Sequence, residues 1–483
     1  MIGLMKSFFN LQTKDINLAA FILGFTSVIS AILGLVRDRL LAGTFGVGDE
    51  LDIYYAAFRL PDFISITLII GAIGAAIIPI FSENLVKNRQ TAFKYLSNFL
   101  NLFLILLILI SGVLFIFAPN FISLIAPGFS AEKKELTVLL TRIMLLSPIF
   151  LGLGNAISGV LRLFRRFLIT SLAPIMYNLG IIVGILFFYP KIGLSGLAWG
   201  CVFGGFLHLL IQVPILLKLG FRLEKIFNFF EPDFLRTLKL MLPRSIGLAA
   251  NQVNLIFVTL LASNLAKGSI SVLGFAESLS RPLLTFIGIS FSTAAFPALS
   301  LAFSKKNLDK FQKTFFLTFN KILIFIFPLS LILFLFRDLL VKIILNVGKF
   351  GLVDSRLTAA CLGMFLIGIF AQALLLLLAK AFYAVQDTKT PALVSIFGMA
   401  VNIFFCLLLV KFLSFPNFFQ NFFLNFLNIP DLTNIEVIGL PLAISLSAIF
   451  QFLLLFFLFH HRMGSTPDVK HDVDVRRQHQ HIT

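Results

Sequence analysis

The residues best suited to chemistry are ionisable groups set among apolar neighbours: Arg37, Asp38 and Arg39, then Asp52, Arg59 and Asp62, then Arg142, and finally Glu277 with Arg281. A charged side chain at bilayer depth costs from about 2.5 kcal/mol upward, so such groups face water, a partner or a ligand. Glu277 and Arg281 are four apart, on one helical face and able to pair. The planar forks of Arg37 and Arg59 suit bidentate binding of phosphate oxygens, the chemistry a pyrophosphate-bearing substrate rewards. Arg39 reads better as an ordinary helix end at the outer surface. Lys380 and Lys389 read as topogenic charges, and His208 as a packed residue. No GxxxxGK[ST] loop is present, and Gly46-Val47-Gly48 lacks the strand–helix setting of a dinucleotide site. No Ser/His/Asp set or aspartate pair for metal–pyrophosphate chemistry occurs in the apolar segments, which argues for transport over catalysis, with no cofactor and no metal.

Composition dictates what must position these groups. The chain has 483 residues, 59% hydrophobic and 13% charged, against about 25% charged in soluble domains. Its charges gather between apolar blocks long enough to cross a hydrocarbon core of about 30 Å. Helical spans are expected near 17–36, 53–81, 98–117, 137–160, 168–188, 192–217, 240–264, 271–300, 317–336, 357–384, 392–412 and 437–459. Twelve spans leave no room for a soluble catalytic domain. The fold class is therefore an all-α polytopic membrane protein. The net charge of +17 flanks apolar spans, where it orients helices in the lipid bilayer and does not imply nucleic acid. Cys201, Cys361 and Cys406 sit in apolar stretches without CxxC spacing and read as buried hydrophobes.

Sorted by alternate loops, roughly 25 lysines and arginines fall on the side of both termini and roughly 11 on the other, which predicts cytoplasmic termini. The N-terminus shows no small-residue cleavage pattern and reads as an uncleaved first span. Residues 460–483 read as a disordered polar tail whose histidines are solvated. Within 413–433, Phe418, Phe419, Phe422, Phe423 and Phe426 alternate with Asn417, Asn421 and Asn425 at helical spacing, as in an amphipathic helix lying in the outer interface.

The halves resemble each other. Ala75-Ala76-Ile77-Ile78-Pro79-Ile80-Phe81-Ser82 returns as Ala294-Ala295-Phe296-Pro297-Ala298-Leu299-Ser300, with Pro79 and Pro297 218 positions apart. Pro174 finds Pro391 at an offset of 217, and Ile192-Gly193-Leu194 finds Ile438-Gly439-Leu440. Corresponding spans run in the same direction, giving a parallel repeat about an axis along the membrane normal. The expected architecture is two six-helix bundles around a central cavity: an N-terminal lobe over 1–217, a cytoplasmic linker over 218–239 and a C-terminal lobe over 240–459.

Ser30-Ala31-Ile32-Leu33-Gly34-Leu35-Val36-Arg37-Asp38, Phe45-Gly46-Val47-Gly48, Phe58-Arg59-Leu60-Pro61-Asp62, Ala126-Pro127-Gly128-Phe129 and Phe382-Tyr383-Ala384-Val385-Gln386-Asp387-Thr388-Lys389-Thr390-Pro391 resemble, in this order, the MurJ/MviN family of lipid II flippases, of the multidrug/oligosaccharidyl-lipid/polysaccharide exporter superfamily. The resemblance runs through residue 459. It implies a carrier in the bacterial cytoplasmic (inner) membrane that moves the undecaprenyl-pyrophosphate-linked peptidoglycan precursor from inner to outer leaflet by alternating access, without ATP hydrolysis. Cell-wall synthesis proteins are further partners in this picture. It also implies that Arg37 binds the pyrophosphate or sugar head group, that Asp38 orients Arg37 by a salt bridge, and that Asp52 is a functional acidic position. The family commonly has arginine at Ala31, Ser65 and Ser278 and an acidic residue at Ile70; Arg281, about one turn beyond Ser278, is placed to substitute. Many members carry two further C-terminal spans, which this sequence does not show.

Three functions stay open on the sequence: the peptidoglycan-precursor flippase, an exporter of another polyprenyl-linked oligosaccharide or of cationic drugs, and a membrane enzyme or cell-wall scaffold. A drug carrier calls for carboxylates facing its cavity, an enzyme for a reacting constellation, and a scaffold for no buried arginines. The candidate substrate-binding residues are Arg37, Asp38, Asp52, Arg59, Arg142, Glu277 and Arg281.

Overall fold

The computed structural model describes residues 16–70, 77–432 and 434–464. Part of the expected second span, with Ala75 and Ala76, and most of the expected polar tail lie outside the described residues. Among the described residues all regular structure is helical: α1 Ile16–Phe45, α2 Asp49–Ala57, α3 Arg59–Ile64, α4 Ile78–Lys87, α5 Arg89–Ile116, α6 Ala118–Ile125, α7 Ala131–Met144, α8 Ser147–Leu163, α9 Phe167–Val183, α10 Tyr189–Ile192, α11 Ser195–Leu210 and α12 Val213–Lys218. There follow α13 Pro232–Ser263, α14 Ser269–Leu283, α15 Ser290–Ser304, α16 Leu308–Leu335, α17 Arg337–Leu345, α18 Leu352–Ala384, α19 Lys389–Leu413, α20 Phe418–Phe426 and α21 Gly439–Gly464. Ten helical stretches among the described residues are long and apolar enough to cross a membrane, and they match the third to twelfth expected spans.

The boundaries differ where polar first turns extend an apolar run. The third span begins at Arg89, where Asn88 caps the helix by accepting from the Gln90 backbone N–H. The seventh begins at Pro232, inside the expected linker. What remains of that linker is stitched to α5: Asn98 exchanges hydrogen bonds with the Asn228 backbone (2.9 and 2.8 Å), and Asn101 donates to the Glu224 and Ile226 carbonyls (2.8 and 3.0 Å). These asparagines, buried on α5, bind an irregular segment that is itself largely exposed. At the other end α21 continues through His460 and His461 to Gly464, so the helix enters the expected tail, and Arg462 pairs with Asp387.

The repeat is legible in the coordinates. α5 and α16 each have 28 residues and lie 219 positions apart at both ends, with Asn88 and Asn307 capping them. The α7–α8 stretch and α18 each span 33 residues, 221 apart at both ends. Each is followed two residues later by a left-handed residue, Arg165 and Gln386. A wide π turn over Ser65–Ile70 recurs over Leu284–Ile289, again 219 apart. α20 has no counterpart between α10 and α11, so the second half carries it as an insertion.

By packing, the chain divides into one unit of Met1–Leu279, Arg337–Cys361 and Val410–Leu440, and another of Ser280–Phe336, Leu362–Leu409 and Pro441–Thr483. In the second unit Phe459 packs against Phe315 (4.5 Å between ring centroids) and Phe382 (5.8 Å), and Ser445 donates to the Met364 carbonyl at 2.6 Å. In the first, Phe81, Phe99, Phe103 and Leu107 anchor a continuous apolar core.

Two features of the first unit matter for function. Gly180 and Gly184 on one segment face Gly204 and Gly200 on α11 so closely that a Cβ on Gly180 would fall 2.2 Å from the Gly204 Cα. Small residues at four-residue spacing thus let the fifth and sixth spans touch backbone to backbone. The other feature is a pair of close glycine contacts between first-half and second-half elements. A Cβ on Gly348 would lie 2.3 Å from the Gly43 carbonyl oxygen, and one on Gly128 would lie 2.1 Å from the Ser263 carbonyl oxygen. These are copies of one contact, since Gly43 and Ser263, like Gly128 and Gly348, are 220 positions apart. Between them Asp52 bonds Ser271, 219 positions on. A residue that touches its own repeat mate lies near the axis relating the repeats.

Gly180→Ala is expected to lower the Tm of the detergent-solubilised protein, reflecting overpacking of about 1–3 kcal/mol. Gly112→Ala, which meets nothing within 4 Å, is expected not to lower it.

Candidate functional site

Arg37 lies in the last third of α1. Its Nε and Nη2 donate to Asp38 Oδ1 at 3.0 and 2.8 Å, and Nη1 donates to Asn178 Oδ1 of α9 at 3.2 Å. The Asn178 amide is oriented by its surroundings: its nitrogen donates to the Pro174 carbonyl at 3.3 Å, leaving the oxygen for the guanidinium. The second Asp38 oxygen accepts from Ser278 Oγ of α14. All three Arg37 nitrogens are therefore engaged, and Asp38 is 2% exposed. Three spans are tied together through this ion pair.

Arg59 opens α3, and only its Nε is used, donating to Thr259 Oγ1 of α13 at 2.7 Å. Its two Nη groups, the half of the fork that reads phosphate, have no hydrogen-bond partner among the described residues. Tyr55 sits in the combined field of Asp38, Arg37, Glu277 and Arg59. Its ring packs on α14 at Gly274, where a Cβ would come within 3.0 Å of it, and meets Phe275 edge-on at 6.0 Å. Arg37, Asp38, Arg59 and Glu277 thus gather around one tyrosine.

The other predicted residues lie elsewhere. Asp52, 3% exposed, accepts from the Gly268 and Ser271 backbone N–H groups (2.7 and 2.8 Å) and from Ser271 Oγ (2.6 Å), capping α14. Arg142 donates to the Phe115 carbonyl (3.2 Å) and stacks over the Phe115 ring (5.0 Å) at the end of α5. Arg281 is exposed, one turn beyond Glu277 on the same helix, and falls in the second packing unit. Arg39 binds the Ile343 and Ile344 carbonyls (2.6 and 2.8 Å), neutralising the C-terminal end of α17. Tyr55, Asn178, Thr259 and Ser278 complete the site. Of these the sequence singles out Ser278 through the resemblance, and Asn178, a polar amide four residues after Pro174 inside an apolar span, carried a usable signal as well.

The helical fold is one shared with solved membrane transporters. Its backbone matches an inward-facing multidrug resistance MATE family transporter with TM-score 0.72 at 14% identity, covering 92% of this chain and 98% of that one. It also matches the solved structure of the lipid II flippase MurJ in an inward closed conformation, with TM-score 0.74 at 24% identity over 91% and 87% of the two chains. The sequence pattern of the lipid II flippase MurJ family matches residues 41–477. Similar relatives include the probable lipid II flippase MurJ of Buchnera aphidicola subsp. Schizaphis graminum, 32% identical over 82% of this chain and 77% of that protein. The lipid II flippase MurJ of Burkholderia cenocepacia is 30% identical over 77% and 74%. The chain belongs to the lipid II flippase MurJ family, a family of membrane transporters and not of enzymes.

Beside the Asp52 cap, Asp49 holds ion pairs to Lys133 and, at 3.1 Å, to Lys267. Burial acts to raise the Asp49 carboxyl, but hydrogen bonds from the two ammonium groups outweigh it and hold the carboxyl below its ordinary 3.8. A carboxylate depressed on folding stabilises the fold above its ordinary value and loses that contribution as pH falls through the lowered one. The Tm difference between the parent and Asp49→Asn is therefore expected to be largest near neutrality and to shrink as the pH is taken well below 3.8.

Proposed function

We propose that the chain carries lipid II, the undecaprenyl-pyrophosphate-linked disaccharide-peptide, from the inner to the outer leaflet of a bacterial cytoplasmic membrane, with both termini cytoplasmic. The observation that carries this reading is the division of labour between two arginines in one cluster. Every nitrogen of Arg37 is engaged by Asp38 or Asn178, whereas neither Nη of Arg59 has a hydrogen-bond partner among the described residues. An anion entering this cluster finds in Arg59 a half-open fork and in Arg37 a charge already oriented. Asp38 then acts as a counter-ion that keeps Arg37 affordable at depth, and Asn178 as a positioning residue.

Contacts between the repeats, read as an outer seal, support alternating access. The paired glycine contacts, the Asp52 cap and the Arg39 clamp all join first-repeat to second-repeat elements within one packing unit. Release of the head group outward requires these contacts to part, and Asp52 serves this reading as a gate residue that does not touch the substrate. The lysines and arginines concentrated on the side of the termini support the orientation.

A related reading, transport of a different polyprenyl-linked glycan, is favoured by Ser278. It lies 219 positions after Arg59, so the repeat mate of the half-free arginine is a neutral hydroxyl where the family commonly has arginine. One cationic fork fewer suits a head group with fewer anionic contacts.

In cells depleted of their own flippase, Arg59→Ala is expected to cut precursor accessible on the outer leaflet on the order of 10- to 100-fold, the loss of charge-assisted hydrogen bonds of about 1.5–3 kcal/mol. The protein should remain folded and in the membrane. Full transport by Arg59→Ala would contradict the assignment, and wild-type transport with outer-leaflet accumulation of another lipid-linked glycan would favour the second reading. Asn178→Leu, which frees Arg37 Nη1, is expected to reduce transport with little change in Tm. A matching fall in Tm would make Asn178 structural.

A further inference from the structure

α20 is an insertion in the second half only, so the symmetry of the carrier does not require it. It is nonetheless rigidly built. Asn417 caps it by accepting from the Gln420 backbone N–H at 2.8 Å, and Gln420 Nε2 donates back to the Leu413 carbonyl at 2.9 Å. Its far end is clamped by two arginines: Arg337, 7% exposed, donates to the Leu427 carbonyl at 2.9 Å, and Arg356 bonds Asp431 (2.5 Å) and the Asn428 carbonyl (3.1 Å). One face, centred on Phe423 and Leu427, is buried. The other holds Phe418, Phe422 and Phe426 in the open, 88%, 52% and 49% exposed, with the last two rings stacked at 5.8 Å and 7°. Asn421 and Asn425 run beside this ridge and line the same shallow cleft.

We propose that the Phe418/Phe422/Phe426 ridge is an interfacial anchor seated in the outer leaflet at the boundary between headgroups and acyl chains. Its occupant is phospholipid, argued from three observations. The helix joins the end of one apolar span at Leu413 to the start of the next at Ile435, so it is confined to the level of a membrane surface. No charged residue occurs between Lys411 and Asp431, an interval in which a water-facing or phosphate-binding loop would carry several. The exposed face alternates aromatic rings with neutral amides, the pairing that matches acyl chain on one side and headgroup on the other. The clamps by Arg337 and Arg356 transmit this seating to α17 and α18, fixing the depth of the second half at the outer surface.

The test uses the full chain, whose sole tryptophan is Trp199. A Trp199→Phe/Phe422→Trp variant is reconstituted into phosphatidylcholine vesicles containing lipids brominated either near the head or near the end of the acyl chain. Blue-shifted emission, quenched more by the head-proximal bromine and weakly by aqueous acrylamide, is expected. Quenching by acrylamide without bromine quenching overturns the proposal in favour of a water-facing loop. Protection from both quenchers overturns it in favour of a protein partner or second copy. Phe418→Trp, at a ring with little packing to lose, repeats the measurement should Phe422→Trp fail to fold. The readout is depth, so it stands or falls independently of the substrate, while the choice of leaflet rests on the proposed orientation of the termini.

Discussion

A guanidinium within a bilayer must be neutralised and hydrogen-bonded before it can be kept, yet it must retain something unsatisfied if it is to bind. The first packing unit separates these demands between two residues. Arg37 and Asp38 meet the first demand together, with Asn178 and Ser278 taking up what remains of both side chains. Such a pair adds little net stability, because desolvation offsets much of its Coulomb energy. Its value is geometric, since it draws α1, α9 and α14 to a common point. Arg59 meets the second demand: Thr259 fixes its Nε, and the two remaining nitrogens have no hydrogen-bond partner among the described residues.

The repeat explains why this point lies where it does. Mates that touch, Asp52 with Ser271, mark the axis, and the duplicated glycine contacts flank it. α2 and α14 therefore begin beside each other, and the charges follow further along the chain, Arg59 and Asp62 on α3 and Glu277 on α14. The π turns at Ser65–Ile70 and Leu284–Ile289 begin at the same spacing after Asp62 and after Arg281. Departures from the repeat mark specialisation. Ser278 stands opposite Arg59 in sequence register, and α20 stands where the first half has only a short turn.

Much of the fold was legible in the sequence because apolar runs of bilayer length leave few alternatives: among the described residues ten of the twelve expected spans are helices long and apolar enough to cross a membrane, and the first expected span lies within α1. Their starts were not legible. Arg89 and Pro232 open helices whose first turns are polar and run beyond the apolar run that hydropathy detects. The cluster of Arg37, Asp38, Arg59 and Glu277 was readable from the cost of burying charge. Asp52, Arg142 and Arg39 carry the same charge types, but their partners are backbone amides and carbonyls at helix ends, and residue identity does not reveal such partners. Tyr55 and Thr259 looked like ordinary span residues, and only the fold places them beside the arginines.

Equilibrium binding of a polyprenyl diphosphate glycolipid, compared with the matching monophosphate, to the purified chain and to Arg59→Lys in detergent tests the central claim most directly. A half-open fork at Arg59 predicts that the parent prefers the diphosphate, that the preference weakens with salt, and that lysine, a point charge without a fork, loses most of it. Equal affinity of parent and variant for the diphosphate would contradict the account.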